Sequence, residues 1–319
     1  MAYETRWGKA PRSGSNLNGV GKVKNGKFES DFFTVDCLDF EFEKKVVRYV
    51  ASNRLAAKRV HSLMTKEPTT IPWLETFTQD DVFFDIGANV GMYSIYASAV
   101  TGCRTYGFEP EALNYGELNK NIFINRLHDR VTAYNIAISN EVRVGELFLG
   151  AFGYSYSHHD FNESTWSGDH YFGDKATKMN ERLHQGCVSL PVDDLVLKHG
   201  LPQPNHIKID VDGLEDRVFA GMRQVLRAPE LKSVLIEIDF QHDKCSAIID
   251  EMLADGWRYS LAQLRTNRKM IFSEEDIVRM RAKKKGGLNY IFFKDEFYDQ
   301  YFEQFLKDYD PPMKAKAGA

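Results

Sequence analysis

The chain has 319 residues, of which 43% are hydrophobic and 27% charged, a composition typical of ordinary globular proteins. Its 41 basic and 45 acidic residues give a net charge of −4, so no overall positive field would attract nucleic acid or an anionic membrane. The amino terminus lacks the apolar core of a secretory signal, and no apolar run reaches the roughly 18 residues of a membrane span, which predicts a cytoplasmic protein.

The chain divides into four predicted regions. Residues 1–38 begin with a stretch rich in Gly, Ser, Asn and Lys and predict a flexible segment. In residues 39–79, apolar side chains recur three and four positions apart, which predicts a helical cap or a contact in a homodimer. Residues 80–300 form the main domain, and residues 301–319 predict a loose tail.

The main domain alternates short apolar segments with helical ones. The predicted strands are VFFD (82–85), CRTYGF (103–108), VTAYNI (131–136), HIKID (206–210), SVLIEID (233–239) and NYIFF (289–293), and the predicted helices cover 92–100, 112–125, 215–226, 244–255 and 274–284. This alternation predicts an α/β fold with a mainly parallel, doubly wound sheet. The stretch 140–190 interrupts it with a long aromatic and polar loop at 151–174, and loops of that length are usually functional or disordered.

The loop DIGANVG follows the first strand, where doubly wound sheets bind their ligands. Gly87 and Gly91 would allow a tight turn and a close approach to a ligand, although a plain strand-to-helix turn is the alternative. Asn89 stands where a dinucleotide fingerprint requires glycine, and Asp85 would repel a pyrophosphate. The pattern therefore disfavours a nicotinamide oxidoreductase and favours a cationic ligand such as S-adenosylmethionine.

The next two strands extend this predicted cofactor site. Glu109 ends the second strand 22 residues after Gly87, the spacing expected of an acid that binds ribose hydroxyls. The backbone at the end of the third strand could border an adenine. The predicted cofactor-binding residues are Asp85, Gly87, Ala88, Asn89, Gly91, Glu109, Ile136 and Ala137.

Three segments, DIGANVGMYS, GFEPEALNYGELNKNI and VSLPVDDL…HIKIDVDGLEDRVFAGM, together resemble the FkbM family of S-adenosylmethionine-dependent methyltransferases over roughly residues 80–295. The resemblance implies a class I methyltransferase fold, which is Rossmann-like, with NYIFF as an antiparallel strand near the sheet edge. It also implies O-methylation, often of a sugar or polyketide hydroxyl. Asp80-Asp81 replace the Gly-Asp common in the family, and the long aromatic loop leaves the acceptor, a small molecule or a glycan, open.

Carboxylates at two strand ends are the catalytic candidates. Asp210 and Asp212 follow the fourth strand, and Glu237 lies at the end of the fifth. Such a group could take the proton of an acceptor hydroxyl or hold a Mg²⁺ ion that orients it. Helix capping and bonds to loop amides are the alternative, which we prefer for Glu215, and Lys208 could simply pair with Asp210.

Histidines offer further candidates for the acceptor site. His158 and His159 lie in the aromatic loop, and His242 follows the fifth strand; each could serve as a base in the reaction. The aromatic side chains of the loop could line an acceptor pocket or pack the loop onto the sheet. The four cysteines have no zinc spacing and predict buried thiols. A binding protein that has lost catalysis is the non-enzymatic alternative, against which the intact cofactor motif argues.

Overall fold

The computed structural model describes residues 22–31, 33–42, 45–157, 159–161, 171–172, 175–176, 183–267 and 270–309. Its strands are β1 (Lys22–Glu29), β2 (Thr34–Phe42), β3 (Lys45–Val50), β4 (Val82–Ile86), β5 (Arg104–Phe108), β6 (Val131–Tyr134), β7 (Ala137–Ile138), β8 (Arg143–Phe148), β9 (Asp160–Phe161), β10 (Tyr171–Phe172), β11 (Lys175–Ala176), β12 (His184–Leu190), β13 (His206–Ile209), β14 (Ser233–Asp239), β15 (Arg258–Tyr259), β16 (Thr266–Asn267), β17 (Met270–Ile271) and β18 (Gly287–Phe293). Its helices are α1 (Arg54–His61), α2 (Leu63–Lys66), α3 (Thr70–Leu74), α4 (Met92–Thr101), α5 (Ala112–Ile124), α6 (Val192–Leu197), α7 (Glu215–Ala220), α8 (Asp243–Ala254), α9 (Leu261–Arg265), α10 (Glu274–Ala282) and α11 (Phe297–Asp308).

A seven-stranded sheet with the order β15-β18-β14-β13-β4-β5-β6 forms the centre of the molecule. Strands β14, β13, β4, β5 and β6 pair in parallel, and β18 runs antiparallel between β14 and β15. The predicted α/β fold with an antiparallel strand near the edge is confirmed, and so is the class I methyltransferase arrangement. Chain order reverses between β4 and β13, which places the ligand crevice of such a sheet beyond their carboxyl ends.

Helices cover both faces of this sheet because successive residues of its strands alternate between two apolar cores. Phe83 packs with α4 and α5 residues such as Ile95 and Leu118. Phe84, its neighbour in β4, packs instead with α7 and α8 residues such as Val218 and Ile249. Burial on both faces explains why the central strands read as continuous apolar runs.

The prediction of a helix beginning at residue 39 was wrong. Strands β1, β2 and β3 form an antiparallel sheet, and the first helix in the described part of the chain is α1, which Asn53 caps. Val46 fitted the helical spacing, but it is 54% exposed, whereas Val47 and Tyr49 are fully buried. The true period in this stretch is two, because β3 lays one of its faces on the main domain. The segment predicted to be flexible includes β1 and part of β2, so that prediction is wrong for the described residues from 22 onward.

The predicted tail also contains regular structure. Helix α11 continues to Asp308, with Phe302 fully buried in the core on the α4 side of the sheet. Residues 310–319 lie outside the described residues, as does most of 158–182. The stretch that interrupts the main sheet contributes a second sheet, in the order β7-β12-β8-β9. The limits of the four predicted regions stay predictions.

The four cysteines are buried and free, as predicted. None of the helices in the described part of the chain is long and apolar enough to cross a membrane.

Candidate cofactor and acceptor site

The turn after β4 requires glycine at two positions. Gly87 and Gly91 have φ values of 79° and 81°, in the left-handed region that residues other than glycine rarely adopt. A Cβ on Gly87 would lie 1.9 Å from the carbonyl oxygen of Asp210, and a Cβ on Gly91 would lie 2.2 Å from Leu118 Cδ1. The tight turn is as predicted. The atoms that exclude a side chain at these two glycines, however, belong to the protein itself and not to a ligand. The cofactor loop, which we define as residues 87–91, is therefore in contact with the end of β13.

Asp85 lies beneath this loop and is only 1% exposed. Its Oδ2 accepts a hydrogen bond of 2.6 Å from the Ser94 hydroxyl at the start of α4. Its Oδ1 is buried and has no hydrogen-bond partner among the described residues. Burial raises the pKa of Asp85, and the charge of Lys208, its register partner on β13, opposes that rise. A buried oxygen without a partner costs free energy, which a cationic group near the loop would offset.

Glu109 is also buried and ties the cofactor loop to the end of β5. Its Oε2 accepts a hydrogen bond of 2.7 Å from the Asn89 backbone N–H, and its Oε1 accepts one of 2.9 Å from the Glu111 N–H. Burial raises the pKa of Glu109 to about 8. A carboxyl group in either protonation state can make more hydrogen bonds than these two, so Glu109 retains capacity for ribose hydroxyls. The carboxyl group and the loop thus fit the cofactor predicted from the sequence.

The third strand ends earlier than predicted. Strand β6 stops at Tyr134, and Ile136 lies beyond it, partly buried. Ala137 leaves the main sheet and pairs in parallel with Ser189 of β12. Asn135 was missed by sequence reasoning, yet its side-chain amide donates to the Glu109 carbonyl at 2.9 Å. The adenine contact of Ile136 and Ala137 therefore stays a prediction.

Asp210 and Glu237 meet at the carboxyl ends of β13 and β14. Asp210 Oδ2 lies 2.7 Å from the Nζ of Lys208, which is 1% exposed, and a hydrogen bond joins Asp210 to Glu237. Burial alone would raise the pKa of Asp210, but the Lys208 ammonium and the Glu237 hydrogen bond hold it well below its usual range. The Asp210 charge, together with burial, raises the pKa of Glu237 well above its usual range. At neutral pH the pair therefore holds one proton, on Glu237.

Three further residues complete this charged cluster and were missed by sequence reasoning. Glu67 is 8% exposed, and its Oε1 lies 3.0 Å from Lys66 Nζ at the end of α2. The ring of Tyr93 lies under Lys208, with the ammonium 5.1 Å from the ring centroid. We call Asp210 and Glu237 the acid pair. The charge of Lys66 lowers the pKa of Asp210, and the charge of Glu67 raises the pKa of Glu237. Tyr93 follows the cofactor loop and could have been suspected, whereas no local pattern marked residues 66 and 67.

Asp212 lies two residues after Asp210 in the chain. Its own φ is 57°, in the left-handed region of the backbone. Its charge contributes to the raised pKa of Glu109. The catalytic role of Asp212 stays a prediction. Glu215 Oε1 accepts hydrogen bonds from the Val211 and Gly213 N–H groups, at 3.1 and 3.2 Å. The preferred reading of Glu215 as a loop-binding residue is confirmed.

The histidine candidates differ in position. His242 follows β14 in the chain and lies close to Gly213. A Cβ built on Gly213 would be 3.7 Å from the Nε2 of His242. His159 Nδ1 accepts a hydrogen bond of 3.3 Å from the Gly150 N–H. His158 lies outside the described residues. His242 is therefore placed near the loop that follows β13.

In the part of the chain that the structure describes, no group of three or more His, Cys, Asp or Glu side chains is placed to hold a metal ion. The Mg²⁺ alternative stays a prediction.

Comparison with known proteins places this site in context. A family model described as the methyltransferase FkbM domain matches residues 85–261, just over half of the chain. The 31-O-demethyl-FK506 methyltransferase FkbM of Streptomyces tacrolimicus is 26% identical over 224 residues, which cover 65% of this chain and 82% of that protein. The hexuronic acid methyltransferase AglP of Haloferax volcanii is 24% identical over 180 residues, covering 56% of this chain and 65% of AglP.

Among solved structures, the methyltransferase FkbM from Methylobacillus flagellatus KT gives a TM-score of 0.40 at 12% identity, covering 76% of this chain and 62% of that one. The family assignment depends on the matched family model and not on this structural likeness.

Proposed function

The chain belongs to the FkbM methyltransferase family, and from that premise we propose that it transfers the methyl group of S-adenosylmethionine to a hydroxyl of a small molecule or glycan. The observation that carries the proposal is the contact between the cofactor loop and the acid pair. Gly87 lies against the Asp210 backbone so closely that no side chain fits between them. On this proposal, the groups suited to a methyl donor and those suited to a hydroxyl acceptor would share one site at the carboxyl ends of β4 and β13.

On this proposal, the cofactor would be held by the loop 87–91, with Asp85 beneath it and Glu109 toward the ribose. S-adenosylmethionine, when bound, supplies an electrophilic methyl group on a sulfonium. The unpartnered Asp85 Oδ1 and the remaining acceptor capacity of Glu109 support this assignment. Ile136 and Ala137 would border the same cofactor, and Asp212 stays a candidate for the acceptor side.

Asp210 would act on the acceptor. Held ionised by Lys208, it can accept a hydrogen bond from the acceptor hydroxyl and so fix the direction of the attacking oxygen. A carboxylate with a lowered pKa is a weak base toward an alcohol. The hydroxyl becomes far more acidic as its oxygen bonds to the methyl carbon, however, and Asp210 can then take its proton. Glu237, which carries the shared proton, keeps Asp210 oriented.

The acceptor class is supported by the character of the crevice and by the relatives. Lys66, Glu67, Lys208 and Asp210 make this end of the sheet polar and charged, as suits a hydroxyl-rich molecule. AglP is described as acting on a hexuronic acid and FkbM on 31-O-demethyl-FK506. His242 and His159 stay candidates for acceptor contacts.

Two measurements test the proposal. Calorimetric titration of the full chain with S-adenosylmethionine and with S-adenosylhomocysteine should show micromolar binding of both. Release of S-adenosylhomocysteine should then be followed with a panel of sugars, uronic acids and macrolide alcohols, with and without Mg²⁺. Failure of the folded protein to bind either cofactor form would overturn the proposal. Binding without turnover on any acceptor would favour the non-catalytic alternative.

A further inference from the structure

Helix α5 carries three asparagines on one face, each of which binds backbone groups of other elements. They are Asn114 and Asn121 within α5 and Asn125 at its C-cap, seven and four positions apart, a spacing that aligns side chains along a helix. Asn114 and Asn121 are fully buried. A buried amide in a helix is costly unless its donor and its acceptor are both used, and here they are. We call these residues the asparagine row.

Two members of the row attach β3 to the main domain. Asn125 accepts from the Arg48 N–H at 2.9 Å and donates to the Arg48 carbonyl at 2.6 Å. Asn121 accepts from the Val50 N–H at 2.7 Å and donates to the Val90 carbonyl of the cofactor loop at 2.8 Å. Strand β3 is at the edge of its sheet, and the row supplies partners for backbone groups there.

Asn114, the third member, binds a short segment that we call the strap, residues 153–156. It accepts from the Ser155 N–H at 2.7 Å and donates to the Tyr156 carbonyl at 3.0 Å. The Tyr156 carbonyl also accepts a hydrogen bond of 2.7 Å from the side chain of Asn89 in the cofactor loop. The strap thus contacts the cofactor loop at the residue whose N–H binds Glu109.

The first helical region holds the strap from its other side. Arg59 in α1 donates through Nε and Nη2 to the Ser155 carbonyl, at 3.0 and 2.8 Å. Asn53, the cap of α1, donates to the Tyr154 carbonyl at 2.7 Å. Ser155 is fully buried and has a left-handed φ of 67°, a conformation that persists for a non-glycine residue only where neighbouring groups hold it.

From these contacts we infer that the strap is a wall of the cofactor site, and that Asn114 and Arg59 are positioning residues which hold it against the cofactor loop. The inference rests on the proposed function, because it assumes that the loop 87–91 binds S-adenosylmethionine. Hydrogen bonds run from Arg59 through the strap to Asn89 and on to Glu109. Arg59 and Asn53 lie outside the region that the family model matches, so residues outside the matched domain help to build its cofactor site.

The asparagine row supplies its own matched control. Asn114→Ala and Asn125→Ala each remove two hydrogen bonds to backbone groups outside α5, but only the first releases the strap. Calorimetry with S-adenosylhomocysteine should show about tenfold weaker binding for Asn114→Ala, which corresponds to about 1.4 kcal/mol. Asn125→Ala should bind within about twofold of the unaltered protein. Hydrogen exchange of the strap amides, measured without cofactor, should accelerate only in Asn114→Ala.

Arg59 offers a second route, because it is partly exposed and its loss is less of a threat to folding. Arg59→Ala should weaken S-adenosylhomocysteine binding in the same direction as Asn114→Ala, and Arg59→Lys, which keeps one donating nitrogen in place of two, should restore part of the affinity. Unchanged affinity in folded Asn114→Ala and Arg59→Ala, or equal weakening by Asn125→Ala, would overturn the inference and leave the proposed function standing. No binding by the unaltered chain would overturn the proposed function itself, and the inference with it.

Discussion

Lys208 and Asp210 form an ion pair 2.7 Å long at the end of β13, in which the lysine is almost wholly buried. Two residues apart along a strand, they share a face of the sheet with Asp85, the register partner of Lys208. A buried ammonium needs compensating negative charge, and Asp210, Glu67 and Asp85 all act to raise its pKa. The same ion pair keeps Asp210 ionised in the crevice where the acceptor is proposed to bind.

Asp210→Asn should lower kcat by about 10²-fold or more, since it removes the group that is proposed to accept the hydroxyl proton. The affinity for S-adenosylhomocysteine should change much less. Turnover and calorimetric Kd values measured side by side give this comparison. Asp194→Asn is the control. It likewise breaks a 2.8 Å ion pair, between Asp194 on α6 and Lys198 just after that helix. Equal losses of turnover and cofactor affinity in Asp210→Asn would place Asp210 in the cofactor contact instead.

Glu237→Gln should retain most of the activity, within about tenfold, because the amide can donate to Asp210 as the protonated carboxyl does. Glu237→Ala should lose far more, since it leaves Asp210 without that donor. Steady-state kcat values at neutral pH distinguish the two variants. A Gln variant as inactive as the Ala variant would mean that Glu237 must ionise during turnover.

Gly87→Ala should destabilise the fold and abolish cofactor binding. The new Cβ would lie 1.9 Å from the Asp210 carbonyl oxygen, and φ there is 79°. We expect a loss of at least about 1 kcal/mol from the left-handed backbone alone. Gly116→Ala on α5 is the control, because no atom outside its own stretch of helix backbone lies within 4 Å of its Cβ position. Thermal unfolding and cofactor titration of both variants test this, and a Gly87→Ala variant with normal Tm and binding would contradict the described turn.

Glu109 should make stability depend on pH. Its pKa rises from 4.5 to about 8 on folding, so the folded state binds a proton more tightly than the unfolded chain. The free energy of unfolding contributed by Glu109 should thus be fully present below about pH 4.5 and should be lost as pH rises toward 8, with a slope of up to about 1.4 kcal/mol per pH unit. Denaturant unfolding of the unaltered protein and Glu109→Gln across this range isolates the contribution. The free energy of unfolding of the unaltered protein minus that of Glu109→Gln should fall as pH rises. If this difference is constant or grows with pH, Glu109 is ionised in the folded protein.

The central fold could be read from the sequence because its signals are local. Apolar strands such as VFFD, each followed by a turn and a helix, specify a parallel sheet without knowledge of distant residues. Since parallel strands end at one edge, Asp210 and Glu237 could be expected to meet, and they do. The prediction of a helix over residues 39–50 was wrong because the local signal there was ambiguous. The apolar spacing fitted two periods, and only packing on the main domain selects the strand.

The remaining features depend on contacts between residues far apart in the chain. Glu67 affects the acid pair, and Arg59 binds Ser155 across 96 positions, through backbone and side-chain groups that carry no local signature. The protonation of Glu109 and Glu237 likewise depends on burial, which exists only in the folded molecule. The sequence by itself thus determined the sheet, the cofactor loop and the chemical types of the site residues, whose signals are short-range. Tertiary structure alone decided which charges share the crevice and which elements enclose it, because those contacts and that desolvation arise only when the chain packs.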